Sequence, residues 1–179
     1  MNKVKKAIKT LKSGGVIAFP TETVFGIGAS IKRPEAIKRI FKIKKRPKNK
    51  PLQVLIANLS QAKKLGKFNK QIEEFAKKHW PGPLTLVVYK KRTVPKLVTG
   101  GSLKVGLRIP AHRNLLKLIN KSGPIVATSA NKAGEKPSLT AKEVKKKLPG
   151  VDYVLPGRVK TGKASKVIDA TREFKTLRA

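Results

Sequence analysis

A cluster of cations at residues 41–52 is the first part of the sequence that could bind an anion and act on it. The segment reads FKIKKRPKNKPL, and its first ten residues hold six cations and no acid. Arg46 offers a planar fork for a phosphate or a carboxylate, whereas Lys44 and Lys50 offer point charges. Two prolines would stiffen the segment whether it cradles an anion or forms a solvated surface turn, so its charge alone leaves both interpretations open.

Small hydrogen-bonding side chains follow two of the predicted strands, where loops commonly present ligand-binding groups. Thr21 and Thr23 stand in PTET after one strand, and Ser129 and Asn131 stand in ATSAN at the end of another. Each pair could bind a small polar ligand. Each could equally form an ordinary turn.

Arg108 is unusual because it lies within an apolar segment, VGLRI. A lone buried cation is costly, so its side chain must pair with an anion or reach solvent. The chain holds 9 Asp and Glu against 43 Lys and Arg, which makes a bound anion an attractive partner. Ser165 and Asp169, in the later segment SKVID, are weak signals when taken singly.

The net charge of +34 attracts polyanions, so nucleic acid, a nucleotide or an anionic membrane could each be a partner. The alternative is that lysine has spread over every tolerant surface without a function. An RNP-like aromatic motif, a GXXG loop and a zinc finger are all absent from the sequence. Aromatic residues make up only 5% of the chain, so base-stacking platforms would be sparse.

Other classes of chemistry are excluded or disfavoured by composition. The absence of cysteine excludes disulfides, thiolate metal sites and a Cys nucleophile. The carboxylates are scattered without the spacing of a glycosidase pair, and the histidines lack a metal-ligand pattern. We therefore expect no dedicated metal site, a helix cap at His112, and a filled core edge at His79–Trp80.

The elements that must position these residues are short strands interspersed with helices. Periodic or continuous apolar segments predict helices at 3–12, 34–46, 60–66, 70–79 and 112–120, and in EVKKKL after a capping box that starts at Thr140. Strands are predicted at 16–19, 52–56, 84–89, 105–109, 125–128, 152–155 and 166–169. Several strand connections are too short for parallel crossovers, so we predict an α+β fold, a twisted mixed sheet with helices packed on it. We expect a single domain over residues 1–179.

The order of several segments resembles that of the YrdC-type threonylcarbamoyl-AMP synthases. The segments are GGVIAFPTETVFGIGAS, KKRPKNKPL, WPGPLTLV, GLRIPAH, TSANKAGEKPS, SKVID and a closing LR. The resemblance runs from about residue 12 to residue 178, and the chain looks like the single-domain form. It implies a YrdC-like fold with a concave, positively charged cavity.

The resemblance also implies a reaction, in which L-threonine, bicarbonate and ATP yield threonylcarbamoyl-AMP and pyrophosphate. The product would serve the t6A modification of adenosine 37 in tRNA, through downstream threonylcarbamoyl-transferase proteins. Mg²⁺ would be carried by the ATP phosphates, and tRNA or double-stranded RNA could bind. This chemistry suits a basic protein, because two anions must meet and cations offset their repulsion.

Two other functions remain open at this point. The first is an RNA-binding module without catalysis, and the second is a carbamoyl-transfer domain of another maturation pathway. A cytoplasmic location is expected in each case, since no apolar run approaches the ~18 residues of a membrane helix and the first residues lack the features of a secretory signal.

Individual roles follow from the resemblance by motif. The expected catalytic residues are Lys44 and Arg46, which would line the triphosphate and bicarbonate site with Lys50. The expected ATP-binding residues are Arg46, Lys50, Lys104, Ser129, Asn131, Ser138 and Arg178. The expected threonine-binding residues are Thr21, Thr23, Arg108, Ala127 and Ser165. The other lysines of residues 41–52 are expected to be solvated: Lys42, Lys45 and Lys48.

Three positions depart from the family pattern. Leu55 stands where many members have His, and Lys104 stands where Thr is common. Lys166 follows Ser165 in a strand that is usually STVVD-like. The substrate contacts of these positions are therefore the ones we expect to differ.

Overall fold

A mixed β-sheet forms the centre of the computed structural model, which describes residues 3–179. The described residues form strands β1 (Ile17–Pro20), β2 (Phe25–Ser30), β3 (Gln53–Leu55), β4 (Leu84–Tyr89), β5 (Lys104–Arg108), β6 (Ile125–Ser129), β7 (Tyr153–Val154), β8 (Lys166–Asp169) and β9 (Lys175–Arg178). Their order in the sheet is β7-β1-β2-β6-β3-β5-β4-β8-β9. Neighbours β1 and β7, β3 and β5, and β4 and β8 are parallel, and the others are antiparallel. The predicted mixed sheet is therefore confirmed.

Helices pack against both faces of this sheet. Within the described residues they are α1 (Lys3–Lys12), α2 (Pro34–Lys44), α3 (Leu59–Leu65), α4 (Lys70–His79), α5 (Lys96–Thr99), α6 (Arg113–Ser122) and α7 (Ala141–Lys147). None of these helices has both the length and the apolar character that crossing a bilayer requires.

The predicted helices and strands are confirmed with ends shifted by one or two residues, but β2, α5 and β9 are missed. Two glycines dilute the strand pattern of β2, whose segment reads FGIGAS, and glycine weakens strand signals. An added Cβ at Gly28 would lie 2.7 Å from Ile125 Cγ2, so glycine permits a close approach there. The single-turn α5 is too short to leave a periodic pattern, and the edge strand β9 is exposed along its length.

Helix α2 ends two residues earlier than predicted because Lys45 adopts a left-handed conformation, with φ of 51°. Its backbone N–H donates to Lys42 O, and the N–H of Arg46 donates to Phe41 O at 2.9 Å. These bonds satisfy the last carbonyls of the helix. The turn separates the side chains of Lys44 and Arg46, which point to different surroundings.

The larger apolar cluster covers one face of the sheet. Strand residues such as Ala18, Val54, Leu107 and Val126 contribute to it together with α2, α3, α4 and α7. Trp80 fills an edge of this cluster and its indole N–H donates to Leu84 O at 2.8 Å. The core-edge prediction is thus confirmed for Trp80 and is wrong for its neighbour His79, which is exposed.

The smaller apolar cluster covers part of the opposite face. Phe19, Leu55 and Ile125 pack there beneath α1 and α6. Helix α6 begins at the predicted cap, where His112 Nδ1 accepts from Leu115 N at 3.3 Å. Helix α7 begins at Thr140, which accepts from Glu143 N at 3.2 Å. Both cap predictions are confirmed.

Candidate active site

A cavity of about 570 Å³ lies on the second face of the sheet, next to the cluster beneath α1 and α6. Alternate residues of β6, β3, β5, β4 and β8 line its floor, because side chains alternate between the two faces of a strand. The floor residues are Gln53, Thr85, Val87, Lys104, Gly106, Arg108, Ala127, Ser129, Val167 and Asp169. Small and polar side chains therefore replace the large apolar ones that fill the same face elsewhere.

Arg108 forms a buried ion pair at one end of the floor. Its Nη2 donates to Glu22 Oε1 at 2.6 Å and to Thr23 Oγ1 at 3.1 Å, and its Nε donates to Gly82 O at 3.2 Å. Both charged side chains are almost inaccessible to solvent. The sequence left a pairing with an anion or contact with solvent open and favoured a bound anion, whereas in the structure the partner is the carboxylate of Glu22, which sequence reasoning did not single out.

The PTET loop is held together by its own threonines. Thr21 Oγ1 lies 2.7 Å from Thr23 Oγ1, donates to Val24 O at 2.8 Å, and accepts from Thr23 N at 3.0 Å. Both threonines are buried, but only Thr23 lines the cavity. Thr21 thus shapes the loop that aims Thr23.

Lys44 lies under the cavity and is not part of its lining. Its side chain is 1% exposed, and Nζ donates to Ser129 O at 2.5 Å and to Asn131 O. Burial, with a smaller contribution from the charge of Arg46, lowers the pKa of Lys44 to about 8. Lys44 thereby fixes the backbone of the loop that follows β6.

Arg46 lines the cavity, and Lys50 does not. The guanidinium of Arg46 donates to Pro51 O at 2.9 Å and to Lys50 O at 3.4 Å. The Lys50 side chain is exposed, as are those of Lys42, Lys45 and Lys48. Within residues 41–52, Arg46 is therefore the cation whose charge faces the cavity.

The end of β6 and the loop after it carry three of the expected ATP-binding residues. Ser129 and Asn131 line the cavity, and the Asn131 amide donates to Lys132 O at 2.8 Å and to Glu135 O at 2.9 Å. Ser138 is fully buried outside the lining, where its backbone joins the loop to β2. The loop is thus anchored at both ends and from below.

Buried polar atoms without a partner concentrate around this cavity. Among the described residues, those atoms are Glu22 Oε2, Asn131 Oδ1 and Ser138 Oγ. Buried polar groups in folded proteins nearly always have hydrogen-bond partners. Two of the three belong to the expected ATP-binding loop, and the third belongs to the carboxylate that pairs with Arg108.

A line of hydrogen bonds crosses the floor from the opposite wall. Arg178 Nη2 donates to Ser165 Oγ at 3.2 Å, and both guanidinium nitrogens Nε and Nη2 also donate to Ser165 O. Ser165 Oγ lies 3.0 Å from Thr85 Oγ1, which donates to Gln53 Oε1 at 2.7 Å. Sequence reasoning missed Thr85 and Gln53, although polar residues in otherwise apolar strands are a usable signal.

Lys104 and Asp169 form a second ion pair at the rim of the floor, at 2.8 Å. Burial alone would raise the pKa of Asp169, but hydrogen bonds from Lys104 and Thr171 outweigh it and lower that pKa. The family departure at Lys104 thus places a cation in the lining and pairs it with a carboxylate.

Arg46 and Arg178 are the lining cations that form no ion pair among residues 3–179. Burial lowers the pKa of both, and the charge of Arg108 adds to this effect at Arg178. Guanidinium groups stay protonated in proteins. Two positive charges that are not held in an ion pair among the described residues therefore line the cavity.

The other two departures lie outside the cavity. Leu55 is buried on the same face but belongs to the cluster beneath α1 and α6, and Lys166 is exposed. The described part of the chain contains no group of three or more His, Cys, Asp or Glu that could hold a metal ion.

Comparison with known proteins gives a consistent result. The family model Sua5_yciO_yrdC, described as Telomere recombination, matches residues 9–179. The chain is 42% identical over 173 residues to a threonylcarbamoyl-AMP synthase of Pyrococcus abyssi (strain GE5 / Orsay), covering 94% of this chain and 51% of the relative. It is 39% identical over 158 residues to a threonylcarbamoyl-AMP synthase of Methylobacillus flagellatus, covering 87% of each.

A solved structure shares the fold closely. The crystal structure of P. abyssi Sua5 complexed with L-threonine superposes with a TM-score of 0.90 at 40% identity, covering 94% of this chain and 51% of that one. This chain thus spans about half the length of the P. abyssi protein, and nearly all of the M. flagellatus relative.

Proposed function

Because the chain belongs to the Sua5/YciO/YrdC family, we propose that it is a threonylcarbamoyl-AMP synthase. L-threonine, bicarbonate and ATP are the substrates, and threonylcarbamoyl-AMP and pyrophosphate are the products. The product serves the t6A modification of adenosine 37 in tRNA. The relatives that carry this name cover most of the chain, and one of them matches over most of its own length.

The observation that carries the proposal is that one cavity joins both expected groups of residues. From the threonine group, the lining includes Thr23, Arg108, Ala127 and Ser165. From the ATP group, the lining includes Arg46, Lys104, Ser129, Asn131 and Arg178. A reaction between an amino acid derivative and a nucleotide needs such a common chamber.

The reaction depends on holding the two substrates in position and offsetting their negative charges, and not on a nucleophilic side chain. Threonine and bicarbonate condense to a carbamate as the C–N bond forms and water leaves, and the carbamate oxygen then attacks the α-phosphorus of ATP. A phosphorus–oxygen bond forms to the carbamate, and the bond to the departing pyrophosphate breaks. Arg46 and Arg178 offset the repulsion between the two anions, which is the main barrier to their meeting.

Arg108 is the group that holds the carboxylate of threonine in this proposal. Its Nη2 and Nε are engaged by Glu22, Thr23 and Gly82, while its Nη1 donates to no acceptor among residues 3–179. The ion pair with Glu22 fixes the direction of the guanidinium, so that Nη1 serves the ligand. Fixed donors of this kind cost no rearrangement when the substrate binds.

Lys44 acts as a positioning residue and not through contact with the substrates. Its ammonium group holds the carbonyls of Ser129 and Asn131, whose side chains face the cavity. Mg²⁺ arrives with ATP, bound to the phosphate oxygens, since hard cations of this kind commonly reach proteins on phosphates.

The decisive test is pyrophosphate release from ATP by the purified chain. Release that requires L-threonine and bicarbonate together is the expected result, with threonylcarbamoyl-AMP identified by mass spectrometry. Reactions that omit each substrate in turn serve as controls. Release at the same rate without threonine would contradict the proposal.

We also propose that the chain binds tRNA or double-stranded RNA, and the net charge of +34 supports this. The chain would act as one domain, which the continuous sheet supports. It would work beside a threonylcarbamoyl-transferase in the cytoplasm. Binding that weakens steeply as salt rises is the expected result, because released counterions drive it. Binding of a nonspecific polyanion, heparin, with the same affinity would argue against RNA as the partner.

A further inference from the structure

The hydrogen bonds across the cavity floor have a fixed direction. The guanidinium of Arg178 can only donate, so Ser165 Oγ accepts from it. Thr85 donates its one hydroxyl proton to Gln53 Oε1 at 2.7 Å, so the hydroxyl of Ser165 is the donor in its 3.0 Å contact with Thr85 Oγ1. In the structure the series therefore ends at the carbonyl oxygen of Gln53, which faces Thr85.

This orientation leaves the amide nitrogen of Gln53 free. Its Nε2 carries two N–H donors, which form no hydrogen bond with the described residues 3–179, whereas Oε1 accepts from Thr85. Gln53 is only partly buried and lines the cavity. An amide whose oxygen is engaged from the protein side presents its donors to whatever occupies the cavity.

Gln53 also stands above its neighbours on the floor. In the sheet it lies between Gly106 on β5 and Ala127 on β6, which are its Cα partners on either side. Gly106 has no side chain and Ala127 has only a methyl group, while Thr85 packs over Gly106, where an added Cβ would lie 3.1 Å from Thr85 Cγ2. The Gln53 side chain is therefore longer than those of its two neighbours in the sheet.

We propose that the Nε2 group of Gln53 is a further substrate contact, which donates to a carboxylate or carbonate oxygen. The inference rests on the proposed function, because that reaction brings such oxygens into this cavity as threonine and as bicarbonate. An acceptor is required, since Nε2 can only donate. Gln53, Arg108 and Arg178 line the same cavity, so this contact would act on the same ligands as the two arginines.

The alternative is that Gln53 is structural and merely accepts the hydroxyl proton of Thr85. Two variants separate these roles. Gln53→Glu keeps an oxygen that can accept from Thr85 but replaces the donors with a negative charge. Gln53→Met removes both the acceptor and the donors while keeping the length of the side chain. A structural role makes Gln53→Met the worse variant, and a substrate contact makes Gln53→Glu the worse one.

The experiment measures kcat and KM for L-threonine, bicarbonate and ATP by pyrophosphate release. We expect Gln53→Met to raise KM for threonine or for bicarbonate about tenfold, the effect of one hydrogen bond to a charged group. Gln53→Glu should raise the same KM further, because its charge repels the anion. The matched control is Gln71→Glu on the exposed surface of α4, which should match the unmodified protein.

The source of the oxygen follows from which KM changes. A rise in KM for threonine assigns the contact to the carboxylate, and a rise in KM for bicarbonate assigns it to the carbonate. Both KM values within twofold of the unmodified protein in both variants, or a change in KM for ATP alone, would overturn the proposal. So would a Gln53→Glu variant that performs better than Gln53→Met.

Failure of the proposed function is detected separately. An unmodified chain that releases no pyrophosphate contradicts the synthase but leaves the contact testable by calorimetry with L-threonine and bicarbonate. Weaker binding to Gln53→Glu than to Gln71→Glu supports the contact, and equal binding overturns it. Thermal melting of each variant verifies that the fold is intact.

Discussion

The two halves of one sheet face have opposite characters, although the same strands run through both. Leu55 and Ile125 lie in the half that α1 and α6 cover, where they are buried in an apolar cluster. Gln53 and Ser129 lie two and four residues away on the same strands, in the half that lines the cavity. The position of two helices therefore decides where the core ends and the candidate site begins.

This contrast explains why the site can hold charges without losing stability elsewhere. The covered half and the opposite face bury the large apolar side chains that stabilise the fold. The uncovered half carries ion pairs, hydroxyls and amides, which contribute little net free energy but fix the direction of each donor. One part of each strand thus stabilises the fold, and the adjacent part of the same strand lines the candidate site.

The strongest test of the uncovered half is removal of its buried cation. Arg108→Met leaves Glu22 buried without its partner, which we expect to lower the free energy of unfolding by about 4 kcal/mol. The double variant Glu22→Gln with Arg108→Met should recover much of this loss, because it removes both charges. Urea denaturation of both variants and of Glu22→Gln alone measures the difference. Equal stability of the single and double variants would show that the two charges are not coupled.

The contrast between the halves can be tested directly within β3. Leu55→Ala removes a fully buried side chain beneath α1 and α6, and we expect it to lower the free energy of unfolding by about 3 kcal/mol. Gln53→Ala, two residues earlier on the same face, should lower it by about 1 kcal/mol, the value of one hydrogen bond. Urea denaturation compares them. Equal losses would mean that the cavity floor is part of the core.

The buried ammonium of Lys44, beneath the loop at the end of the uncovered half, gives the free energy of unfolding a pH dependence. Its pKa is about 8 in the folded chain against an ordinary value of 10.5, so between these values the unfolded chain binds the extra proton. The free energy of unfolding should therefore rise with pH across this window, by about 3 kcal/mol.

Lys44→Met provides the reference for this measurement, because it lacks the titrating group and keeps most of the apolar stem. The unfolding free energy of the unmodified chain minus that of the variant should increase from pH 8 to pH 10.5. A difference that stays constant over that range would mean that Lys44 keeps its ordinary pKa.

A smaller effect is expected from the cation that faces the cavity. Arg46→Ala should lower turnover at least about tenfold, or about 1.4 kcal/mol of activation free energy, while thermal melting remains unchanged. Lys48→Ala is the matched control, because Lys48 belongs to the same segment but is exposed. Turnover that falls equally in both variants would mean that overall charge matters and the position of Arg46 does not.

The sequence predicts the elements well because buried apolar residues recur with clear periods in most of them. It also indicates that Arg108 must pair with an anion or reach solvent, since its strand is otherwise apolar. That partner, Glu22, lies 86 residues away in the chain, and a pairing across such a separation leaves no local sequence pattern. The sequence also does not show which part of the sheet face α1 and α6 leave uncovered, because that depends on where the two helices pack.

The segment 41–52 illustrates the same limit. The prediction groups Lys44, Arg46 and Lys50 as one anion-binding set, on the basis of charge and motif. The structure separates their side chains: one is buried under the loop, one lines the cavity and one is exposed. The left-handed residue Lys45 redirects the chain between the first two, and a sequence of consecutive cations does not reveal such a turn.

The cavity lining draws on residues from Thr23 to Arg178, so it exists only when distant parts of the chain have come together. Ligand binding in the cavity therefore requires the whole sheet to be folded, and not one local segment alone. A substrate at 100 times its dissociation constant would add about 2.7 kcal/mol to the free energy of unfolding. The lifetime of the protein against proteases should then follow the supply of its own substrates.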